Sequence, residues 1–148
     1  MRYFEKISIY KDRDDIILPI RSTKGSAGYD FFALSDTILE SKKITLIKTG
    51  IKAYMDDDEY LMLSIRSSLA MKKNLMLANG QGIVDSSYYS NPSNDGEIGF
   101  LLINMNDDIS IKISKGDRIG QGIFMKYLIT KDDNTTTNRI GGFGSTGI

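Results

Sequence analysis

The sequence predicts an all-β domain, a sandwich or barrel, on three observations. Short segments alternate or run apolar over strand lengths, turn residues punctuate them at close intervals, and only one stretch carries helical spacing. The 148 residues suit a single domain, long enough to bury about 68–70% of the surface its unfolded chain would expose.

In chain order, strands are expected at residues 6–10, 43–47, 59–65, 97–104, 109–113 and 122–129. The 97–104 strand carries an inward face of Ile98, Phe100 and Leu102. Turns separate them at residues 24–28, 48–50, 56–58, 91–96 and 115–117, each built from Gly, Asp, Asn, Pro or Lys-Thr-Gly clusters. The acidic run 56–59 reads as a solvated turn, since nothing near it in sequence supplies complementary oxygens. The helix is expected over 67–75: Ser67 and Ser68 can cap, no Gly or Pro intervenes, and Leu69, Lys72 and Lys73 share helical spacing. Residues 139–148 pack four glycines among Arg139, Phe143, Ser145 and Thr146. Such a segment forms no strand or helix interior, because each ordered glycine loses the most conformational entropy. It offers a ligand open N–H groups, hydroxyls, a guanidinium and an aromatic face. The predicted organisation is a β domain over 1–130 and a flexible C-terminal arm over 131–148.

Composition narrows the chemistry. Nineteen basic and nineteen acidic residues cancel, so the chain lacks the footprint of a nucleic-acid binder, and any anionic ligand should be small and held by a local cluster. With no cysteine and no histidine, disulfides, thiolate nucleophiles, Ser-His triads and imidazole metal ligands are excluded. Proton chemistry must come from carboxylates, and any metal must be a hard cation held by oxygen. No apolar run approaches the about 20 residues that span a bilayer, and the chain opens with charge, so a cytoplasmic protein without a membrane partner is expected.

Four clusters precede the tail. Ala27-Gly28-Tyr29-Asp30 ends a glycine turn in a carboxylate. Arg66-Ser67-Ser68-Leu69-Ala70 sets an arginine and two hydroxyls where a strand gives way to a helix, a place that favours an anion. Residues 79–88 carry Asn79, Gly82, Ile83, Val84, Asp85 and Tyr88 through a turn and a strand, and Gly116-Asp117-Arg118-Ile119-Gly120-Gln121 delivers a glutamine to another strand.

With Gly142-Phe143-Gly144-Ser145-Thr146-Gly147, these clusters resemble the five ordered motifs of the homotrimeric dUTPases, over nearly the whole chain. The resemblance implies a jelly-roll-like β fold, a trimer whose subunits share active sites, and Mg²⁺-dependent hydrolysis of dUTP to dUMP and pyrophosphate, which limits uracil in DNA and supplies dUMP for thymidylate synthesis. It assigns Asp85 as the base that orients the attacking water, with Arg66 as its charge partner. Ser67, Ser68 and Gln121 would grip the phosphates, and Asp30 would hold water in the Mg²⁺ shell. Asn79, Gly82, Ile83 and Val84 would read uracil, joined by Gly99, with Tyr88 under the sugar. Arg139, Phe143, Gly144, Ser145 and Thr146 would close over the nucleotide from a neighbouring subunit.

Two departures stand out. Residues 89–95 lengthen the connection after the third motif, and Arg139 lies one residue closer to Phe143 than the common pattern has it. The homologous dCTP deaminases share the architecture but need a glutamate within the strand after the third motif. Here that strand reads Gly99-Phe100-Leu101-Leu102-Ile103-Asn104, which speaks against deamination. A further alternative is a nucleotide-sensing regulatory protein that docks a partner on the 89–95 loop.

Overall fold

The structure, a computed structural model, describes residues 1–147. One antiparallel sheet has the order β2 (Tyr29–Phe32), β11 (Arg118–Lys126), β6 (Glu59–Ile65) and β8 (Gly82–Asp85). A second has the order β4 (Ile44–Lys48), β9 (Gly99–Asn104) and β7 (Leu75–Leu77). Two ribbons complete the fold, β1 (Tyr3–Lys6) with β5 (Ile51–Tyr54), and β3 (Thr37–Leu39) with β10 (Ile111–Ile113).

The period of two along a strand decides what faces inward. In β6, Glu59, Leu61 and Leu63 are buried; in β9, Phe100, Leu102 and Asn104 are. Phe31 of β2 and Phe100 of β9 meet at 5.5 Å between ring centroids and join the two sheets across the core. The buried polar groups are paired. Asn104 Nδ2 donates to the carbonyls of Leu39 and Ile109 at 2.9 and 2.6 Å, fastening β9 to the β3–β10 ribbon. The Glu59 carboxylate accepts from Arg2 Nε at 2.8 Å and from the Asp56 N–H at 3.3 Å.

The expected all-β architecture with one short helix is present, with shifted ends. The strand expected at 6–10 is β1 at Tyr3–Lys6 followed by a 3₁₀ turn at Ser8–Tyr10. Its partner β5 begins at Ile51, opposite Lys6, so pairing stops there and the Ile7 N–H caps the Gly50 carbonyl. The strand expected at 122–129 runs instead over Arg118–Lys126: it starts as soon as the Gly116-Asp117 turn allows and ends where β6 ends, with Lys126 opposite Glu59. Leu128 beyond it is almost fully exposed. The helix α1 occupies Ser67–Lys73 and stops at Asn74, whose left-handed backbone lets its N–H reach the Leu69 carbonyl. Its N-cap is Arg66, which makes no side-chain capping bond, so the serines do not cap as expected; Ser67 is already helical.

The 89–95 segment is folded back on the body. Asn91 is buried, and Lys52, also buried, reaches Ser90 Oγ at 2.9 Å and Asp95 Oδ1 at 3.0 Å. Ser90, Pro92 and Ser93 keep its exposed surface. After Lys126 the described residues contain no strand or helix, and the chain returns to the body at Arg139. Of the arm expected at 131–148, Ile148 lies outside the described residues.

Candidate active site

At the Ile65 end of β6, three clusters of the sequence come together. In register across the sheet, Asp30 of β2 stands beside Gln121 of β11, and Gln121 beside Ser64 of β6. Arg66 follows directly at the end of β6. Asp30 is only 5% exposed, and its Oδ2 accepts from Ser22 Oγ at 2.7 Å and faces Arg118 Nη1 at 3.3 Å. Its Oδ1 lies 3.7 Å from Arg66 Nε. Gly28 makes room for the glutamine: a Cβ at 28 would sit 2.5 Å from Gln121 Oε1. Ser67 is exposed and Ser68 half-buried at the start of α1. This end offers two guanidiniums, one amide and hydroxyls to a polyanion.

On the β8 side of β6 lies a cavity of about 220 Å³, to which β6 contributes Leu63. It forms because β7 and β8 leave the 78–81 turn for different sheets, so β8 has β6 on one edge and, among the described residues, no strand on the other. Gly82, Ile83 and Val84 line the cavity beside Asn79 and Gly99, and those of the β8 N–H and C=O groups that alternate to the outer edge have no strand to pair with. Leu63, Leu77, Ile98 and Leu101 supply apolar walls. A flat heterocycle with alternating donors and acceptors matches such an edge.

Asp85 and Tyr88 border the same cavity. Tyr88 is buried; its hydroxyl donates to the Glu97 carbonyl at 2.7 Å and accepts from Asn94 Nδ2 at 2.7 Å. Burial pushes the phenol above its ordinary pKa, so it remains a donor. Asp85 accepts from Arg139 Nη2 at 2.5 Å, and Arg139 Nε donates to Ser87 Oγ at 3.1 Å. The guanidinium also stacks 5.9 Å from the Tyr88 ring. Arg139 therefore lies at the site despite its shortened spacing, on its own chain's Asp85. Gly142 rests on Tyr88 so closely that a Cβ would overlap the ring. Phe143 and Gly144 flank the mouth, Phe143 with a left-handed φ of 52° and more than half exposed. Ser145 and Thr146 are exposed and outside the lining.

One expected pairing differs. Within the chain the carboxylate beside Arg66 is Asp30, and Asp85 has Arg139 instead. The topology explains it. Asp85 is opposite Tyr60, whereas Gln121 is opposite Ser64, four residues further along β6 and on its other side. Strand geometry puts the two about 16 Å apart. Sequence reasoning left Arg118 and Ser22 without roles, although Arg118 lies inside the fourth cluster. It also left out Leu63, Leu77, Ile98 and Leu101, whose apolar character gave no hint beyond core.

Among the described residues no group of three or more His, Cys, Asp or Glu converges. No helix among them is long and apolar enough to cross a membrane.

The dUTPase family model matches residues 14–147, nine-tenths of the chain. The chain belongs to the dUTPase family. It is 42% identical to the deoxyuridine 5'-triphosphate nucleotidohydrolase of Lactococcus lactis subsp. lactis, covering 99% of this chain and 98% of that one. The crystal structure of the Streptococcus mutans dUTPase superposes with a TM-score of 0.81 at 41% identity, over 86% of this chain and 98% of that one. A dUTPase of phage phi11 of S. aureus, described with a structural Mg(II) ion, shares the fold at a TM-score of 0.71 and 18% identity, over 93% and 97% of the two chains. The dUTPase family model and the dUTPase fold thus meet in a single chain.

Proposed function

We propose that the chain hydrolyses dUTP to dUMP and pyrophosphate. The observation that carries this reading is the split of β7 and β8 into two sheets, which leaves a cavity edged by free backbone donors and acceptors with a carboxylate, Asp85, at its rim. Uracil pairs with such an edge. Cytosine reverses one donor and one acceptor and leaves groups unpaired, while the methyl of thymine overpacks by about 1–3 kcal/mol. Tyr88 walls the sugar side against a 2′-hydroxyl.

In the reaction Asp85 orients a water and accepts its proton as the oxygen attacks the α phosphorus in line with the α–β bridge. The bridging bond breaks and its electron pair leaves with pyrophosphate. Arg66, Ser67, Ser68 and Gln121 stabilise the charge gathering on the phosphate oxygens. A general base works within hydrogen-bond reach, or through one water, and about 16 Å separates Gln121 from Asp85 within one chain. That separation supports a site shared between subunits of a trimer, with Arg139 and the arm turning from Asp85 to cover the bound nucleotide, and Arg139 moving to the phosphates. The donor set fits Mg²⁺ as a companion of the triphosphate: Asp30 Oδ2 is committed to Ser22 and Arg118, and Oδ1 remains able to accept from a metal-bound water. The ion supplies charge neutralisation at the phosphate oxygens. The same reading gives the enzyme its place in the cytoplasmic deoxynucleotide pool, where it limits uracil in DNA and feeds thymidylate synthesis.

Pyrophosphate release measured with dUTP, dTTP, dCTP and UTP in Mg²⁺ tests the proposal. Turnover of dUTP alone is expected; comparable turnover of all four would refute the specificity.

A further inference from the structure

Several hydrogen bonds of the 89–96 segment run to Tyr88 at the cavity wall. Asn94 Nδ2 donates to the Tyr88 hydroxyl at 2.7 Å, and Asn91 Nδ2 donates to the Tyr88 carbonyl at 2.8 Å. The tyrosine is thus held at both ends by one loop. Asn94 is itself fixed, because its Oδ1 accepts from the Gly96 N–H at 3.1 Å and from Asn91 Nδ2 at 2.8 Å. Asn91, 5% exposed, accepts in turn from the N–H groups of Ser93 and Asn94 at 3.1 and 3.2 Å. Asp95 ties the loop to the body through the Ser8 N–H at 2.6 Å and Lys52 Nζ at 3.0 Å.

A tyrosine hydroxyl held from two directions cannot swing without breaking a bond, each worth about 0.5–1.5 kcal/mol. The Glu97 carbonyl takes its proton and Asn94 approaches its oxygen, so ring tilt and ring height are both set. That ring is the cavity wall and the seat of Gly142. The loop also touches the arm directly, since a Cβ at Gly141 would come 3.1 Å from Ser93 Cβ.

We propose that Asn94 is a positioning residue for sugar selection, holding the Tyr88 ring where it leaves no room for a 2′-hydroxyl. This rests on the dUTPase reading, in which Tyr88 faces the sugar. Removing the carboxamide frees the ring to retreat, so the ribose form should gain relative to the deoxyribose form. Removing the tyrosine hydroxyl, which also loses the bond to the Glu97 carbonyl, should do the same at least as strongly, and the two changes should not add, because Tyr88→Phe already removes the bond that Asn94→Ala breaks.

The test compares Asn94→Ala, Tyr88→Phe and the double variant with the full-length protein. Two readouts serve: the ratio of kcat/KM for dUTP over UTP, and the ratio of equilibrium affinities for dUMP over UMP. Each single variant is expected to lower both ratios about three- to tenfold, with the double variant no lower than Tyr88→Phe alone. Thermal melting is recorded beside them. A fall in Tm with unchanged ratios assigns Asn94 a purely structural role and overturns the proposal, as does a double variant whose loss is the product of the two. Wild-type protein that binds dUMP preferentially but releases no pyrophosphate sinks the hydrolase reading and leaves the affinity ratio to decide on Asn94. Wild-type protein with no preference for dUMP overturns both.

Discussion

The charged cluster at the Ile65 end of β6 and the cavity on its β8 side are built from different materials. At the Ile65 end the instruments are long charged side chains: Arg66 and Arg118 face one buried carboxylate at 3.7 and 3.3 Å, each partly exposed and able to turn toward an anion. In the cavity they are backbone edges, apolar walls and one tyrosine held by a loop. Flexible cations grip any polyphosphate, since Coulomb attraction does not ask which base is attached. A fixed edge selects, because a mismatched donor or acceptor stays buried and unpaired. On the proposed reading, power and selectivity lie at separate places, and Asp85, which that chemistry needs beside the phosphates, borders the selective cavity. The comparison therefore predicts that two copies cooperate.

The largest effects test that cooperation. Asp85→Asn should lower kcat by about 10²–10⁴ while dUTP still binds, as seen by pyrophosphate release and calorimetry; a near-normal rate removes Asp85 from the mechanism. Arg66→Ala should also abolish most turnover, through lost phosphate charge. Mixing the two inactive variants, denatured together and refolded, sharpens the comparison. If each site takes Arg66 from one subunit and Asp85 from another, half the subunits carry each intact group, and about a quarter of the sites regain both. No recovery on mixing would mean that one chain supplies both groups.

The sequence reads these two regions unequally. β6 is legible to the residue, because Leu61, Leu63 and Ile65 alternate with outward positions over a run long enough to show the period. Strands β2, β3, β5 and β7, of three or four residues, are too short to show one, and their ends are set by partners remote in sequence. That is also why β1 ends at Lys6: Ile51 on the facing strand, not anything local, closes the ladder. The charged cluster at the Ile65 end was visible as residue types and motifs, although the Asp30 partnership of Arg66 depends on the β2–β11–β6 order. The cavity was visible only in part. Leu63 and Leu101 look like core residues, and what makes them a wall is the parting of β7 from β8, a feature of sheet topology.

The arm offers an intermediate test. Gly142 lies on the Tyr88 ring with no space for a methyl group. Gly142→Ala should keep the arm from seating and lower kcat/KM for dUTP about tenfold, with Tm unchanged because the arm adds no strand to the β domain. A lowered Tm would show that the arm supports the domain instead of covering the site.

The smallest effect isolates the charged end. Arg118 is partly exposed while Asp30 is buried, and the carboxylate keeps other partners when the guanidinium is removed. Arg118→Ala should therefore leave the melting temperature nearly unchanged, since Arg66 and Ser22 still face the carboxylate. Its loss should be felt by the β and γ phosphates only. The expected result is a two- to fivefold rise, roughly, in KM for dUTP, with affinity for dUMP unaltered, and a weaker dependence of KM on salt. Equal weakening of dUMP and dUTP would break the division of labour, because a residue at the charged end would then act on the part of the ligand that the cavity reads.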